Sequence, residues 1–154
     1  MASALEDLRR ERRDWRAAGR RVVFTNGCFD LLHPGHVALL EAARRHGDVL
    51  IVGLNSDASV QRLKGAGRPI VPGTERAETL LALEPVDRVI LYDEDTPLEV
   101  ITTLLPDVLV KGADWGPGTI VGSEVVEAAG GRVERIELVP GRSTSALVER
   151  IQHP

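Results

Sequence analysis

A single cysteine, Cys28, is present in 154 residues, so no internal disulfide can form, and the chain is read as a protein of a reducing compartment. Aromatic residues make up only 3% of the sequence, which leaves Leu, Val, Ile and Ala to fill any core. No apolar run approaches the roughly 20 residues that a bilayer span requires. The N-terminus is polar, with no apolar stretch ahead of a small-residue cleavage site. These absences predict a cytoplasmic protein with no membrane partner. An excess of basic charge is also missing: the formal net charge is -4 and the pI about 5.6, which argues against a nucleic-acid partner. The one basic stretch, residues 9–21, is interleaved with Glu11 and Asp14 and preceded by Glu6 and Asp7, and reads as a solvated helix face.

What is present is an ordinary balance for a folded domain, 43% hydrophobic and 27% charged. The length predicts one domain over residues 1–154, with an N-terminal helix in 1–19 and a core in 21–151. A domain of this size buries roughly two thirds of its unfolded surface and needs no metal or disulfide to fold.

Short β-branched runs at residues 21–26, 49–54, 88–92, 108–111 and 133–138 read as strands. Helices are predicted over residues 3–18, 34–46, 58–63, 74–83 (capped by Thr74), 96–104, 119–129 and 143–151. The strands are continuously apolar rather than alternating, as expected when both faces of a sheet are covered. Strand and helix alternate through short links, which predicts an α/β, Rossmann-like fold: a five-stranded parallel sheet with helices on both faces. Ligands in such sheets bind beyond the carboxyl ends of the strands, at the switch point.

The informative segment joins the first strand to a helix: Gly27-Cys28-Phe29-Asp30-Leu31-Leu32-His33-Pro34-Gly35-His36. A helix amino end presents unpaired N–H groups and about half a positive charge, a ready place for phosphate. His33 and His36, three residues apart, can address one anion, and Gly35 leaves room for it near the backbone. A helix cap plus a surface histidine is an equally good reading of the spacing alone. Zinc is a further reading, disfavoured because no other Cys, His or acidic cluster has ligand spacing; no metal site is expected. The loop is neither a Walker A sequence nor Gly-x-Gly-x-x-Gly.

On these residues the chain resembles the nucleotidyltransferases of the cytidylyltransferase type, whose signature is similar to Gly27-x-Phe29-Asp30-x-x-His33-x-Gly35-His36 on a first strand–loop–helix. The resemblance covers residues 21–151. Further matches are Lys64 in the loop after the second helix, Arg76 within Glu75-Arg76-Ala77-Glu78, Asp114-Trp115 after the fourth strand, and Arg142-Ser143-Thr144-Ser145 opening the last helix. Within that family the wording is most similar to the heptose 1-phosphate adenylyltransferases, through Phe24 to Asp30, Leu63-Lys64-Gly65-x-Gly67-Arg68-Pro69, Asp93-Glu94-Asp95-Thr96-Pro97 and Gly141 to Thr144. The domain is often fused to a sugar kinase and is expected here to stand alone. Two positions depart from that pattern: Ala113 where Gly is usual and Trp115 where Tyr is frequent. Asp-Trp is also a feature of glycerol-3-phosphate cytidylyltransferases, which makes such an enzyme, or a heptose 1-phosphate transferase using another nucleoside triphosphate, the alternative.

The resemblance implies an enzyme that transfers AMP from ATP to D-glycero-D-manno-heptose 1-phosphate, giving ADP-heptose and pyrophosphate for lipopolysaccharide or surface-polysaccharide precursors. It implies Mg²⁺ carried with ATP as the cofactor, ATP and a sugar phosphate as partners, and a homo-oligomer, dimer or higher. His33, His36 and Lys64 are the implied catalytic residues. Asn26, Gly27, Phe29, Gly35, His36, Asp114, Arg142, Ser143, Thr144 and Ser145 are implied to bind nucleotide. Asp30, Lys64 and Arg76 are implied to bind the second substrate. From the residues alone, Lys64 reads as a solvated loop charge, Arg76 equally as a structural ion pair, Ser143 to Ser145 as helix caps, and Trp115 as a core-edge aromatic. Cys28 reads as a small buried filler, with no partner to lower its pKa.

Overall fold

The computed structural model describes residues 3–112, 120–137 and 143–153. The elements, in chain order, are α1 (Ala4–Ala17), β1 (Val22–Gly27), α2 (Pro34–Arg44), β2 (Val49–Asn55), α3 (Asp57–Lys64), α4 (Gly73–Leu81), β3 (Arg88–Tyr92), α5 (Leu98–Leu104), β4 (Val108–Gly112), α6 (Ser123–Ala128), β5 (Arg132–Ile136) and α7 (Thr144–Gln152). The described strands form one parallel sheet in the order β3-β2-β1-β4-β5. The fold is therefore the Rossmann-like α/β sheet expected from the alternation. The order reverses between β1 and β4, which makes that junction the switch point.

The continuous apolar runs divide their side chains between two cores, because successive strand residues face opposite ways. Val22, Phe24, Val49, Ile51, Ile90 and Leu109 pack with Val100, Ile101 and Leu104 of α5, Val126 of α6 and Leu8 of α1. Val23, Leu50, Val52, Leu54, Val108 and Val110 pack on the other face with Leu40 and Ala43 of α2 and Leu80 of α4. All seven residues of β2, at the centre of three consecutive strands, are buried. Gly53 on β2 has a steric reason: a Cβ there would stand 2.6 Å from Cζ of Phe24.

Local chemistry sets the helix ends. Ser3, Ser56 and Ser143 accept the N–H groups of Glu6, Ser59 and Ala146, capping α1, α3 and α7. Of the boundaries that differ from expectation, three have a local cause. Helix α4 begins at Gly73 with Pro72, not Thr74, as its N-cap, and Asp57 Oδ1 of α3 accepts the Gly73 N–H at 2.8 Å. Lys64 closes α3 rather than lying in the following loop, a position where the helix dipole favours a cation. Helix α6 starts only at Ser123, because Gly122 adopts φ 87°; the residues proposed to open it, from Thr119, lie partly outside the described ones.

Helix α1 is tied to the core by a buried arginine. Arg12 donates through Nε to the Leu104 carbonyl at 3.1 Å and through Nη2 to that of Leu105 at 2.8 Å, while Nη1 lies 3.2 Å from Asp107. It thereby satisfies the carboxyl end of α5, whose carbonyls have no partner within the helix. Among the described residues no helix is long and apolar enough to cross a membrane.

Candidate active site

The segment singled out in the sequence leaves β1 at the switch point and enters α2. Phe29 bends it with φ 45°, a backbone region that side chains other than Gly rarely take. The bend puts the Phe29 ring into the core on the α2 face, 4% exposed and 5.2 Å from the His36 ring. The Phe29 ring is thereby taken up by the core. A Cβ on Gly27 would meet that same ring at 2.9 Å.

His33 is the N-cap of α2, and its Nδ1 accepts the Gly35 N–H at 3.0 Å. That bond places the proton of a neutral ring on Nε2. His33 and His36 stack, with ring centroids 3.8 Å apart and planes 25° from parallel. Burial and then the neighbouring His33 push the pKa of His36 down to about 4, so its ring is neutral near pH 7. The His36 Nδ1 is buried and has no hydrogen-bond partner within the protein. Two imidazoles thus share one helix amino end, and one of them holds an unsatisfied polar atom.

Asp30 is saturated by the chain itself. Its carboxylate takes the N–H of Ile70 at 2.9 Å, the N–H of Val71 at 2.9 Å and Arg68 Nε at 2.9 Å. Burial pushes its pKa up, but those three donors together outweigh it and hold the group below its ordinary value. It fastens the segment between α3 and α4 over the loop. Arg76, 1% exposed, donates to the carbonyls of Val71, Cys28 and Asn55 and to Asp57 at 2.7–2.9 Å. These contacts give it the ion-pair arrangement, with its donors turned to the backbone of the loop after β1, of β2 and of the α3–α4 segment. Burial raises the Cys28 thiol pKa, against the charges of Lys64, Arg76 and Arg68. Lys64 is exposed at the carboxyl end of α3.

The last helix reaches the same place from 113 residues away: Thr144 Oγ1 donates to the Leu31 carbonyl at 3.1 Å. Ser143 caps α7 through Ala146, and Ser145 is exposed beside it. Asp114, Trp115 and Arg142 lie outside the described residues.

Asn26 was expected in the site, but its partners Asn55, Tyr92 and Lys111 were not read from the sequence. Asn26, Asn55, Tyr92 and Lys111 stand at or near the carboxyl ends of β1, β2, β3 and β4 and join in a row of hydrogen bonds. The signal that could have found them is a polar side chain at or next to the carboxyl end of each of these four strands.

Residues 24–147 match the cytidylyltransferase-like family model. The chain belongs to the cytidylyltransferase-like family. A protein named bifunctional protein HldE in Syntrophotalea carbinolica is 61% identical over 136 residues, 88% of this chain and 28% of that protein. Its namesake in Citrifermentans bemidjiense is 63% identical over 133 residues, 86% of this chain and 27% of that protein. The chain therefore spans little more than a quarter of these relatives. A crystal structure of a lipopolysaccharide core biosynthesis protein from Thermoplasma volcanium superposes with a TM-score of 0.65 at 26% identity, covering 79% of this chain and 98% of that one. Membership in the cytidylyltransferase-like family accords with what the geometry offers: a switch-point crevice floored by a helix amino end, with two histidines on it.

Proposed function

We propose that the chain is an adenylyltransferase that transfers AMP from ATP to D-glycero-D-manno-heptose 1-phosphate, releasing pyrophosphate and forming ADP-heptose. The observation that carries this reading is the stacked His33–His36 pair at the amino end of α2, set at the β1/β4 switch point. The heptose assignment is supported by the sequence phrases shared with heptose 1-phosphate adenylyltransferases and by relatives of about 60% identity in this part of their length. The similarity to a lipopolysaccharide core biosynthesis protein of Thermoplasma volcanium points the same way.

In this reaction a phosphate oxygen of the sugar attacks the α-phosphorus of ATP. The bond from that phosphorus to the bridging oxygen breaks, and pyrophosphate leaves with the electron pair. The nucleophile is already an anion near pH 7, so alignment and charge stabilisation matter more than a general base. A neutral His36 is a hydrogen-bond donor rather than a fixed cation, and the approach of phosphate raises its proton affinity. His33, held by Gly35, carries its proton on Nε2 as a second donor. Lys64 would reach the phosphates from the end of α3, and the amino end of α7, with Ser143, Thr144 and Ser145, would take the β- or γ-phosphate. Asn26, Gly27 and Gly35 would approach the nucleotide closely, with Asp114 and Arg142 as further contacts. Asp30 and Arg76 act in this scheme by holding the loop that receives the sugar phosphate.

Mg²⁺ enters with ATP as part of the substrate. Among the described residues no three His, Cys, Asp or Glu side chains gather to hold a metal. With Asp30 already engaged by three donors, phosphate oxygens and water would supply its ligands. The proposed setting is the cytoplasm, where ATP and sugar phosphates are found, with the enzyme as a homo-oligomer and neither nucleic acid nor membrane as partner.

Pyrophosphate release from a matrix of ATP, CTP and GTP against heptose 1-phosphate, other sugar phosphates and glycerol 3-phosphate tests the assignment. The expected result is turnover with ATP and heptose 1-phosphate. Turnover confined to CTP and glycerol 3-phosphate would assign the alternative, and no release from any pair would refute catalysis.

A further inference from the structure

The β1/β4 junction parts before either strand ends. Paired backbone register runs through Val23–Val108 and Phe24–Leu109 and goes no further, although both strands continue. Beyond it the two strands are joined by side chains. Thr25 Oγ1 donates to the Val110 carbonyl at 3.0 Å on one face of the sheet. On the other face the Lys111 ammonium donates to Asn26 Oδ1.

That second bridge sets the polarity of everything next to it. An ammonium is a donor only, so the Asn26 oxygen must face it and the Asn26 amide nitrogen must face an acceptor. The acceptor is the Tyr92 hydroxyl at 3.0 Å. Tyr92 then donates its own proton to Asn55 Oδ1 at 3.1 Å. The Asn55 amide nitrogen donates to Ser59 Oγ at 3.0 Å, and Ser59 donates to the Glu94 carbonyl at 3.0 Å. Each hydrogen bond in this row points away from Lys111. The row crosses β4, β1, β3 and β2 and ends on α3, the helix that closes with Lys64. Lys111, Tyr92, Asn55 and Ser59 are each at most 6% exposed. Taking an ammonium out of water is costly, and shape alone at this position would be met by an uncharged side chain.

We propose that Lys111 is a positioning residue for nucleotide binding, which fixes the Asn26 amide and, through the polar row it orients, holds the parted ends of β1 and β4 in the shape that receives ATP. The proposal rests on the reading of this junction as the nucleotide site. Lys111 acts on Asn26 and the crevice floor, and contact with the nucleotide falls to the residues above it. Burial lowers the Lys111 pKa to about 8, which still leaves the ammonium charged at pH 7.

The test is calorimetric ATP affinity of the full chain, measured with thermal midpoints for Lys111→Met, Lys111→Arg, Tyr92→Phe and the Lys111→Met/Tyr92→Phe double variant. Lys111→Met and Tyr92→Phe are each expected to weaken ATP binding about tenfold, the scale of one or two lost hydrogen bonds. The double variant is expected to lose little more than the weaker single, because both break one row. Lys111→Arg, which keeps the donor, is expected to retain affinity to within about threefold. Folded single variants that bind ATP like the parent chain, or losses that multiply in the double variant, would overturn the proposal. A loss in Lys111→Met with none in Tyr92→Phe would overturn it too, by making Lys111 a direct ligand. If Lys111→Met does not fold, Tyr92→Phe and Lys111→Arg decide. Tight ATP binding without pyrophosphate release would count against adenylyl transfer and leave this inference standing, whereas a parent chain that binds no ATP would sink both.

Discussion

Thr144 and Leu31 are bound to each other, hydroxyl to carbonyl at 3.1 Å, although 113 residues separate them. The bond joins the amino end of α7 to the loop that carries His33, two residues on. Two helix amino ends are thereby set on one crevice, and an anion between them would feel both partial positive charges. Thr144→Val keeps the shape and removes the donor. The expected outcome is a stability loss of about 1 kcal/mol, the net scale of one hydrogen bond, with a larger relative effect on kcat/KM for ATP. Urea titration and steady-state kinetics check the two parts. Unchanged kinetics would mean that the bond serves folding alone.

His36 supplies the sharpest catalytic prediction. His36→Ala is expected to lower turnover by at least about 100-fold, the scale for one donor aimed at transition-state charge. The fold should survive, since the ring is only partly buried and leaves Phe29 in its core position. Single-turnover rates with ATP and heptose 1-phosphate, beside a thermal midpoint, make the comparison. Near-parental turnover would remove His36 from the chemistry.

The same ring predicts a pH dependence with a definite sign. His36 has an ordinary pKa of 6.5 and is pushed down to about 4 in the folded chain by burial and then by His33. Between those values the unfolded chain binds more protons than the folded one, so stability falls as pH drops through that window. Bound triphosphate adds negative charge beside the ring and raises its pKa, so ATP binding at about pH 5.5 should take up a proton at this site. Calorimetry in buffers of different ionisation enthalpy measures the uptake, and His36→Asn should abolish that share of it. An identical uptake in the variant would assign the proton to another group.

How far the sequence reached is clearest at particular residues. The sheet was legible because its strands carry short apolar runs, wholly buried in β2, as expected of a sheet covered on both faces. His33 and His36 were legible because their spacing coincides with a strand–loop–helix junction. The acceptor for the first N–H of α4 was not, because Asp57 reaches Gly73 from another helix, and no local pattern records a contact across 16 residues. Asp30 and Arg76 were read for their charge, whereas the fold spends their hydrogen-bonding capacity on the chain itself. The polar row from Lys111 was invisible for a related reason: its members lie on four strands, and only the parallel register brings their ends into line.

Lys64 and Arg76 are both basic residues with a phosphate role implied by resemblance, and the structure separates what their loss should do. Lys64 is exposed at the end of α3, and its removal leaves no buried group unpaired. Lys64→Ala is expected to lower phosphate-dependent rate or affinity while the melting temperature stays put. Arg76 is buried and holds four acceptors from three parts of the chain. Arg76→Lys keeps the charge, but an ammonium cannot reproduce the planar fork. Each acceptor left unpaired costs about 1–3 kcal/mol, so this variant is expected to melt well below the parent. Its kinetics should worsen only as far as the loop over Asp30 loosens. Measured side by side, a stability loss in Lys64→Ala with normal kinetics would make Lys64 structural. A stable Arg76→Lys chain with a raised KM for the sugar phosphate would return Arg76 to the substrate.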